Sequence, residues 1–157
     1  MTAPSVRLAE LGYELPAVAA PVAAYIPATR VGEQVWTSGQ LPFRAGSLVC
    51  TGKVGDGVSA DDAKAAAQVA ALNGLAAAAA VAGGLDAITR IVKVVVYVAS
   101  EPSFTGQPAV ANGASEFLAA VFGDAGQHIR SAVGVAALPL DASVEVELIV
   151  DVARSDG

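Results

Sequence analysis

Residues 129–153 read IRSAVGVAALPLDASVEVELIVDVA. Ile129 to Ala137 and Ser143 to Ala153 are dense in β-branched side chains and predict two strands, with Leu138-Pro139-Leu140-Asp141-Ala142 as a hairpin-like link between them. Successive side chains of a strand point to opposite faces. Arg130, Ala132, Gly134 and Ala136 therefore share one face, and Ser131, Val133 and Val135 the other. In the second strand Glu145, Glu147, Ile149 and Asp151 share one face, with Val144, Val146, Leu148 and Val150 opposite. Arg130 is a lone charge beside three very small side chains, an arrangement that leaves room for a ligand. A guanidinium holds a carboxylate through two parallel hydrogen bonds, and a carboxylate nearby can position and deprotonate a water. The same pattern fits an Arg–Glu pair between neighbouring strands on a solvated face.

Upstream, Ile88 to Ala99 (ITRIVKVVVYVA) is too β-branched for a comfortable helix and predicts a central strand. Ser59 predicts a helix start, its hydroxyl capping the first turn and Asp61 and Asp62 placed where the helix dipole favours negative charge. That helix runs to about Ala82 and stops at Gly83-Gly84. A second helix starts near Pro108 and ends before Gly123. Residues 1–24 form a Pro- and Ala-rich N-terminal extension with a short helix from about Val6 to Leu11, and residues 25–157 a single domain. Tyr25 to Arg30 is extended, Val31 to Glu33 a turn, and Gln34 to Ser38 a strand. Leu41 to Val58 reads as loops with a short strand near Leu48 to Cys50. The order β-β-(β)-α-β-α-β-β predicts an α+β fold, one sheet with two helices on one face. The other, Val-rich face is left bare, which predicts a homo-oligomer.

Composition narrows the function. Of 157 residues, 35 are Ala and only 5% are aromatic, so the core must be close-packed from small side chains. At 54% apolar and 15% charged the chain is not generally disordered. Nine basic against fifteen acidic residues, net −6, argue against a surface that tracks phosphates, so no nucleic-acid partner is expected. One cysteine, Cys50, leaves no intrachain disulfide, and one histidine, His128, no multi-His metal site. No secretory signal is read at the N-terminus. The Ala-rich stretch Ala65 to Gly84 is broken by Gln68 and Asn73, so a buried helix is expected rather than a membrane span. A solitary thiol fits a cytoplasmic setting.

Other features carry bland readings more easily than chemical ones. Residues 52–57 (GKVGDG) are glycine-rich but lack phosphate-loop spacing, so a loop is expected. Cys50 needs a base beside it to act as a nucleophile, and a structural thiol is expected. His128, two residues before Arg130, could edge a cleft or simply sit at a strand entrance. Trp36 and Tyr97 are expected to be packing residues.

The stretch Arg130 to Pro139, followed by Val144-Glu145-Val146-Glu147, resembles the C-terminal signature of the RidA family (YjgF-like, also called endoribonuclease L-PSP). Tyr25, ahead of Thr37-Ser38-Gly39-Gln40-Leu41-Pro42, is similar to its N-terminal signature, and Asn112, Phe117 and Phe122 echo its second helix. The resemblance spans about Tyr25 to Ala153. It implies a chorismate-mutase-like fold, a homotrimer with clefts between subunits, and hydrolysis of 2-imino acids and enamines to 2-keto acids and ammonia without metal or organic cofactor. It also implies that Arg130 binds the substrate carboxylate, that Glu145 orients the attacking water, and that Tyr25 lines the cleft, with backbone around Gly39 and Ala132 holding substrate and water. An imine carbon is already electrophilic, so positioning and a polarised water suffice. Ala132 stands where Cys is common in the family and Ser115 where an aromatic residue is common. The loops Phe43 to Asp56 and Ser100 to Pro108 are long, marking a divergent subgroup.

Three functions are thus expected to compete. The first is an imine or enamine deaminase using Arg130 and Glu145. The second is a non-catalytic small-carboxylate-binding or regulatory module that keeps Arg130. The third, which the acidic charge counts against, is an endoribonuclease.

Overall fold

The computed structural model describes residues 2–21 and 23–155. Three helices, α1 (Pro4–Glu10), α2 (Ala60–Ala82) and α3 (Gln107–Phe122), accompany nine strands. The strands are β1 (Ala28–Val31), β2 (Gln34–Thr37), β3 (Phe43–Arg44), β4 (Ser47–Leu48), β5 (Lys53–Val54), β6 (Gly57–Val58), β7 (Ile88–Ala99), β8 (Ile129–Val135) and β9 (Val144–Val152). Five of them form one mixed sheet in the order β1-β2-β9-β7-β8, with only the β7–β8 pair parallel.

The helix ends follow their chemistry. Ser59 Oγ accepts the Asp62 amide at 3.1 Å, a side-chain cap on an orphan donor. Gly83 closes α2 at φ 93°, a left-handed conformation that a side chain would strain. Helix α2 is long and apolar enough to cross a membrane, yet 67% of its most apolar window is buried. It packs on α3 and across β9, β1 and β2, the setting of a core helix.

The core lies between the helices and one face of the sheet. Val94, Val96 and Val98 of β7 and Val144, Val146, Leu148 and Val150 of β9 are all buried there. Among the described residues no helix lies on the other face: Trp36 is 47% and Val133 44% exposed, and Glu145, Glu147 and Ile149 of β9 are half-buried. The expected one-sided sheet is therefore present.

The short N-terminal helix expected near Val6 to Leu11 is present as α1, and it docks on the body: Leu8 is buried, and Arg7 donates from Nε and Nη2 to the Ala120 carbonyl at 3.2 and 3.0 Å. Tyr13 meets Phe117 edge to face at 5.5 Å between ring centroids. Two details differ from expectation. The residues read as a loop region hold two two-residue strand pairs, β3–β4 and β5–β6. Finally, residues 136–143 are not a hairpin. β8 and β9 are not neighbours, because β7 lies between them and pairs with both. The link crosses the end of β7, turning at Leu140 and Asp141 with φ 58° and 59°.

The close approach of α2 to α3 and to the sheet depends on glycines. A Cβ on Gly113 of α3 would overlap the backbone carbonyl of Lys64 on α2, and one on Gly74 of α2 would stand 2.9 Å from Leu148 Cδ1. Gly113→Ala gains about 1 kcal/mol of helix propensity but forces the two backbones apart. A net loss of about 2 kcal/mol is expected in urea denaturation. A variant as stable as the native chain would show that the helices have room to separate.

Candidate functional site

Strands β2 and β9 run in register up to Trp36↔Ile149, and a further bridge joins Gln40 to Val146. Four steps along one segment thus oppose three along the other, a one-residue bulge. Thr37 Oγ1 accepts the Leu148 amide at 3.0 Å, replacing the carbonyl that the bulge turns away. Gln40 restores pairing, its N–H donating to Val146 at 2.7 Å and its carbonyl accepting the Val146 amide at 3.0 Å. The bulge lays Gly39 directly over the Glu145 side chain: a Cβ there would collide with the carboxylate, its Cδ and its Cγ. Glycine is required at position 39 because a side chain already occupies the space.

Glu145, Gly39, Ser38 and Gln40 share a small, open pocket of about 40 Å³ with Tyr25, Pro27 and Pro139. Residues 19–21 of the N-terminal segment form part of its wall. Burial raises the Glu145 pKa above its ordinary value, and the negative charge of Glu147 raises it further. A carboxylate so placed is a stronger proton acceptor than one in water. Glu147 itself accepts the Tyr97 hydroxyl at 3.0 Å. Burial, first, and then the Glu147 hydrogen bond and the charges of Glu147 and Glu145 raise the Tyr97 pKa, so that hydroxyl stays a donor.

Arg130 sits elsewhere. On β8 it pairs with Val94 of β7, which pairs with Leu148 of β9; Glu145 pairs with Tyr97, which pairs with Val133. Arg130 therefore lies on the helix-bearing face and Glu145 on the open face. The inter-strand Arg–Glu pair is excluded, since the two strands are not adjacent. Arg130 is also not free in a hollow. Its Nη1 donates to Asn112 Oδ1 at 2.8 Å and to Ser115 Oγ at 3.2 Å, and its Nη2 reaches the Pro108 carbonyl at 3.4 Å. Further along the stripe, Gln107 Nε2 occupies the space beside Gly134, 2.7 Å from where a Cβ would stand. Ala132 is half-buried between them. One chain thus brings Tyr25, Gly39 and Glu145 together and holds Arg130 and Ala132 apart from them, on the edge strand β8.

The lesser candidates resolve simply. Cys50 Sγ donates to Ser143 Oγ at 3.3 Å, and Ser143 donates to the Gly52 carbonyl at 2.8 Å, a structural thiol. Lys53, within the glycine-rich stretch, lies 3.8 Å from Asp141. Trp36 lies on the open face, its Nε1 donating to Gln34 Oε1 at 3.2 Å. His128, by contrast, is joined to Arg130 through Ser115, whose Oγ lies 2.8 Å from His128 Nε2. Ser115 was visible in the sequence only as an unusual residue three positions after Asn112.

Comparison with known proteins gives one family and several relatives. The family model described as "YjgF/chorismate mutase-like, putative endoribonuclease" matches residues 5–152. Protein TCP17 of Trypanosoma cruzi is 44% identical over 146 residues, which cover 92% of this chain and 91% of that protein. A structure titled a "putative endoribonuclease" from Shewanella oneidensis is 33% identical with a TM-score of 0.92, over 96% of this chain and 100% of that one. Escherichia coli TdcF with bound serine is 25% identical with a TM-score of 0.62, over 91% of this chain and 97% of that one.

The raised Glu145 pKa carries a stability consequence. The folded chain keeps this proton to a higher pH than the unfolded chain, so stability falls as pH rises from the ordinary glutamate value through the raised one. Glu145→Gln is neutral throughout. It is expected to melt higher than the native chain at neutral pH and to lose that advantage below about pH 4. Equal melting temperatures at every pH would sink the burial argument.

Proposed function

The chain belongs to the YjgF/chorismate mutase-like family, and from that membership we propose that it is a hydrolytic deaminase of 2-imino acids and their enamine tautomers. Its cleft is completed between copies in a cytoplasmic homotrimer: Glu145, Gly39 and Tyr25 come from one chain, Arg130 and Ala132 from its neighbour. The observation that carries this reading is the half-buried Glu145 carboxylate with its raised pKa, facing a pocket on a sheet face that no helix covers. Serine bound in TdcF adds that a relative accepts a small ligand bearing a carboxylate.

In this mechanism the Arg130 guanidinium holds the substrate carboxylate and sets the imine carbon over Glu145. Glu145 takes a proton from water as the oxygen bonds to that carbon. The imine π electrons move onto nitrogen, which takes that proton from Glu145, giving a carbinolamine with –OH and –NH2 on one carbon. Glu145 then carries the hydroxyl proton to the same nitrogen, the C–N bond breaks with its electrons leaving on ammonia, and the oxygen closes the carbonyl of the 2-keto acid. Water and imine are consumed one for one. The residues need only position and move protons, consistent with a site of one Arg and one Glu.

A second reading is a carboxylate-binding module without turnover. The separation of Arg130 from Glu145 within one chain favours it, because Arg130 can bind an anion without Glu145. Cleavage of RNA, suggested by relatives' names, finds little support in a chain with fifteen acidic and nine basic residues.

Ammonia release from 2-imino acids, generated in situ by an amino-acid oxidase, tests the proposal. The native protein is expected to accelerate release. Arg130→Ala is expected to lower kcat/KM by roughly 10- to 100-fold, the worth of a charged hydrogen-bonded contact. Glu145→Gln is expected to abolish turnover while leaving binding of the keto-acid product intact. No acceleration with small, branched or aromatic imino acids, alongside retained keto-acid binding, selects the binding module. Light scattering tests the assembly: a particle smaller than three 15.5 kDa chains overturns the trimer.

A further inference from the structure

Asn112 and Ser115 stand one turn apart on α3, so their side chains share a face of the helix. Both accept from the same Arg130 nitrogen, Nη1, at 2.8 and 3.2 Å. A guanidinium nitrogen of this kind has two hydrogens, so Nη1 is fully committed. Among the described residues Nε has no partner, and Nη2 makes only the 3.4 Å contact with Pro108. The Nε–Nη2 edge is therefore the one edge of the fork left to meet a planar anion with two parallel bonds.

Ser115 does not hold Nη1 by itself. His128 Nδ1 lies 2.6 Å from the Gly126 carbonyl, which can only accept, so Nδ1 carries a hydrogen. In the tautomer with that hydrogen on Nδ1, Nε2 is bare toward Ser115 Oγ at 2.8 Å, and the hydroxyl donates to it. With its hydrogen turned to His128, the Ser115 oxygen has its lone pair aimed at Arg130. Each hydrogen passed along the series Arg130–Ser115–His128–Gly126 thus has one acceptor and a fixed direction, while the second Nη1 hydrogen goes to Asn112.

A Ser–His contact of this length, with the ring oriented from behind, also has the form of an activated hydroxyl. Here the oxygen that would attack already accepts from a cation, which lowers its nucleophilicity. The geometry points instead to positioning: we propose that Ser115 and His128 hold Arg130 so that its Nε–Nη2 edge faces the ligand, and thereby set the preference of this site for carboxylates. The inference rests on the reading of Arg130 as the carboxylate anchor.

Titration calorimetry on the full-length chain, with pyruvate and its uncharged counterpart pyruvamide, separates the two ideas. Arg130→Ala is expected to erase the preference for pyruvate. Ser115→Ala and His128→Leu are each expected to reduce that preference about tenfold while leaving pyruvamide affinity within twofold. Loss of packing alone would weaken both ligands alike and overturn the positioning role. Ser115→Thr keeps the hydroxyl and His128→Gln keeps an acceptor, and both are expected to recover most of the preference, which also guards against misfolding of the harsher variants. If Arg130→Ala changes nothing, the anchor reading falls and this inference with it. If Arg130→Ala erases the preference but Ser115→Ala and His128→Leu leave it intact, the anchor stands and the positioning role is overturned. Covalent labelling of Ser115 by a fluorophosphonate would likewise overturn it, in favour of a nucleophile.

Discussion

The distance at which α2 lies from its neighbours governs the rest of the molecule. Nine of its thirteen buried residues, from Ala63 through Ala79, are alanine, and Gly74 and Gly113 remove the side chains that would hold Leu148 and Lys64 away. Small side chains bring backbones close, and close backbones leave few voids, so dispersion contacts compensate for the modest apolar area each alanine buries. Packing that depends on proximity fixes where α3 lies along the sheet. The place of α3 in turn decides that Asn112 and Ser115, rather than solvent, meet Arg130.

The Glu145 half of the site follows from a different constraint, the bulge between β2 and β9. An unbroken ladder would have carried a residue with a side chain past Glu145. The extra residue instead places Gly39 there, and the backbone forms the floor on which the carboxylate lies. The same close cover strips water from the carboxylate and raises its pKa. Steric fit and proton affinity at this position thus share one cause, and a change that opens the floor relaxes both.

Much of this was legible in the sequence because its signals are local. The capping serine at 59, the glycine stop at 83, the β-branched run 88–99 and the alternation in 129–135 and 144–152 each express a preference that neighbours along the chain enforce. Tyr25, Gly39 and Glu145 could be named from short signatures and do share a pocket. What could not be read was adjacency. Alternation assigns residues to two faces within one strand, but relating the faces of two strands requires knowing what lies between them. The insertion of β7 between β8 and β9 is a long-range choice that put Arg130 and Glu145 on opposite faces. The Ser115–His128 contact escaped for a related reason: thirteen residues and a helix end separate the pair, and no periodicity links them.

That opposite-face placement bears on how damage is inherited. If the proposed reaction uses Arg130 of one copy and Glu145 of its neighbour, no chain is competent alone, and every working cleft is a joint product of two. In pure form a chain lacking the guanidinium is impaired and a chain lacking the carboxylate is inactive. Mixed in one assembly, they rebuild an intact cleft wherever the undamaged half of one faces the undamaged half of the other. Two defective alleles can then complement one another, while a chain carrying both defects spoils every cleft it enters.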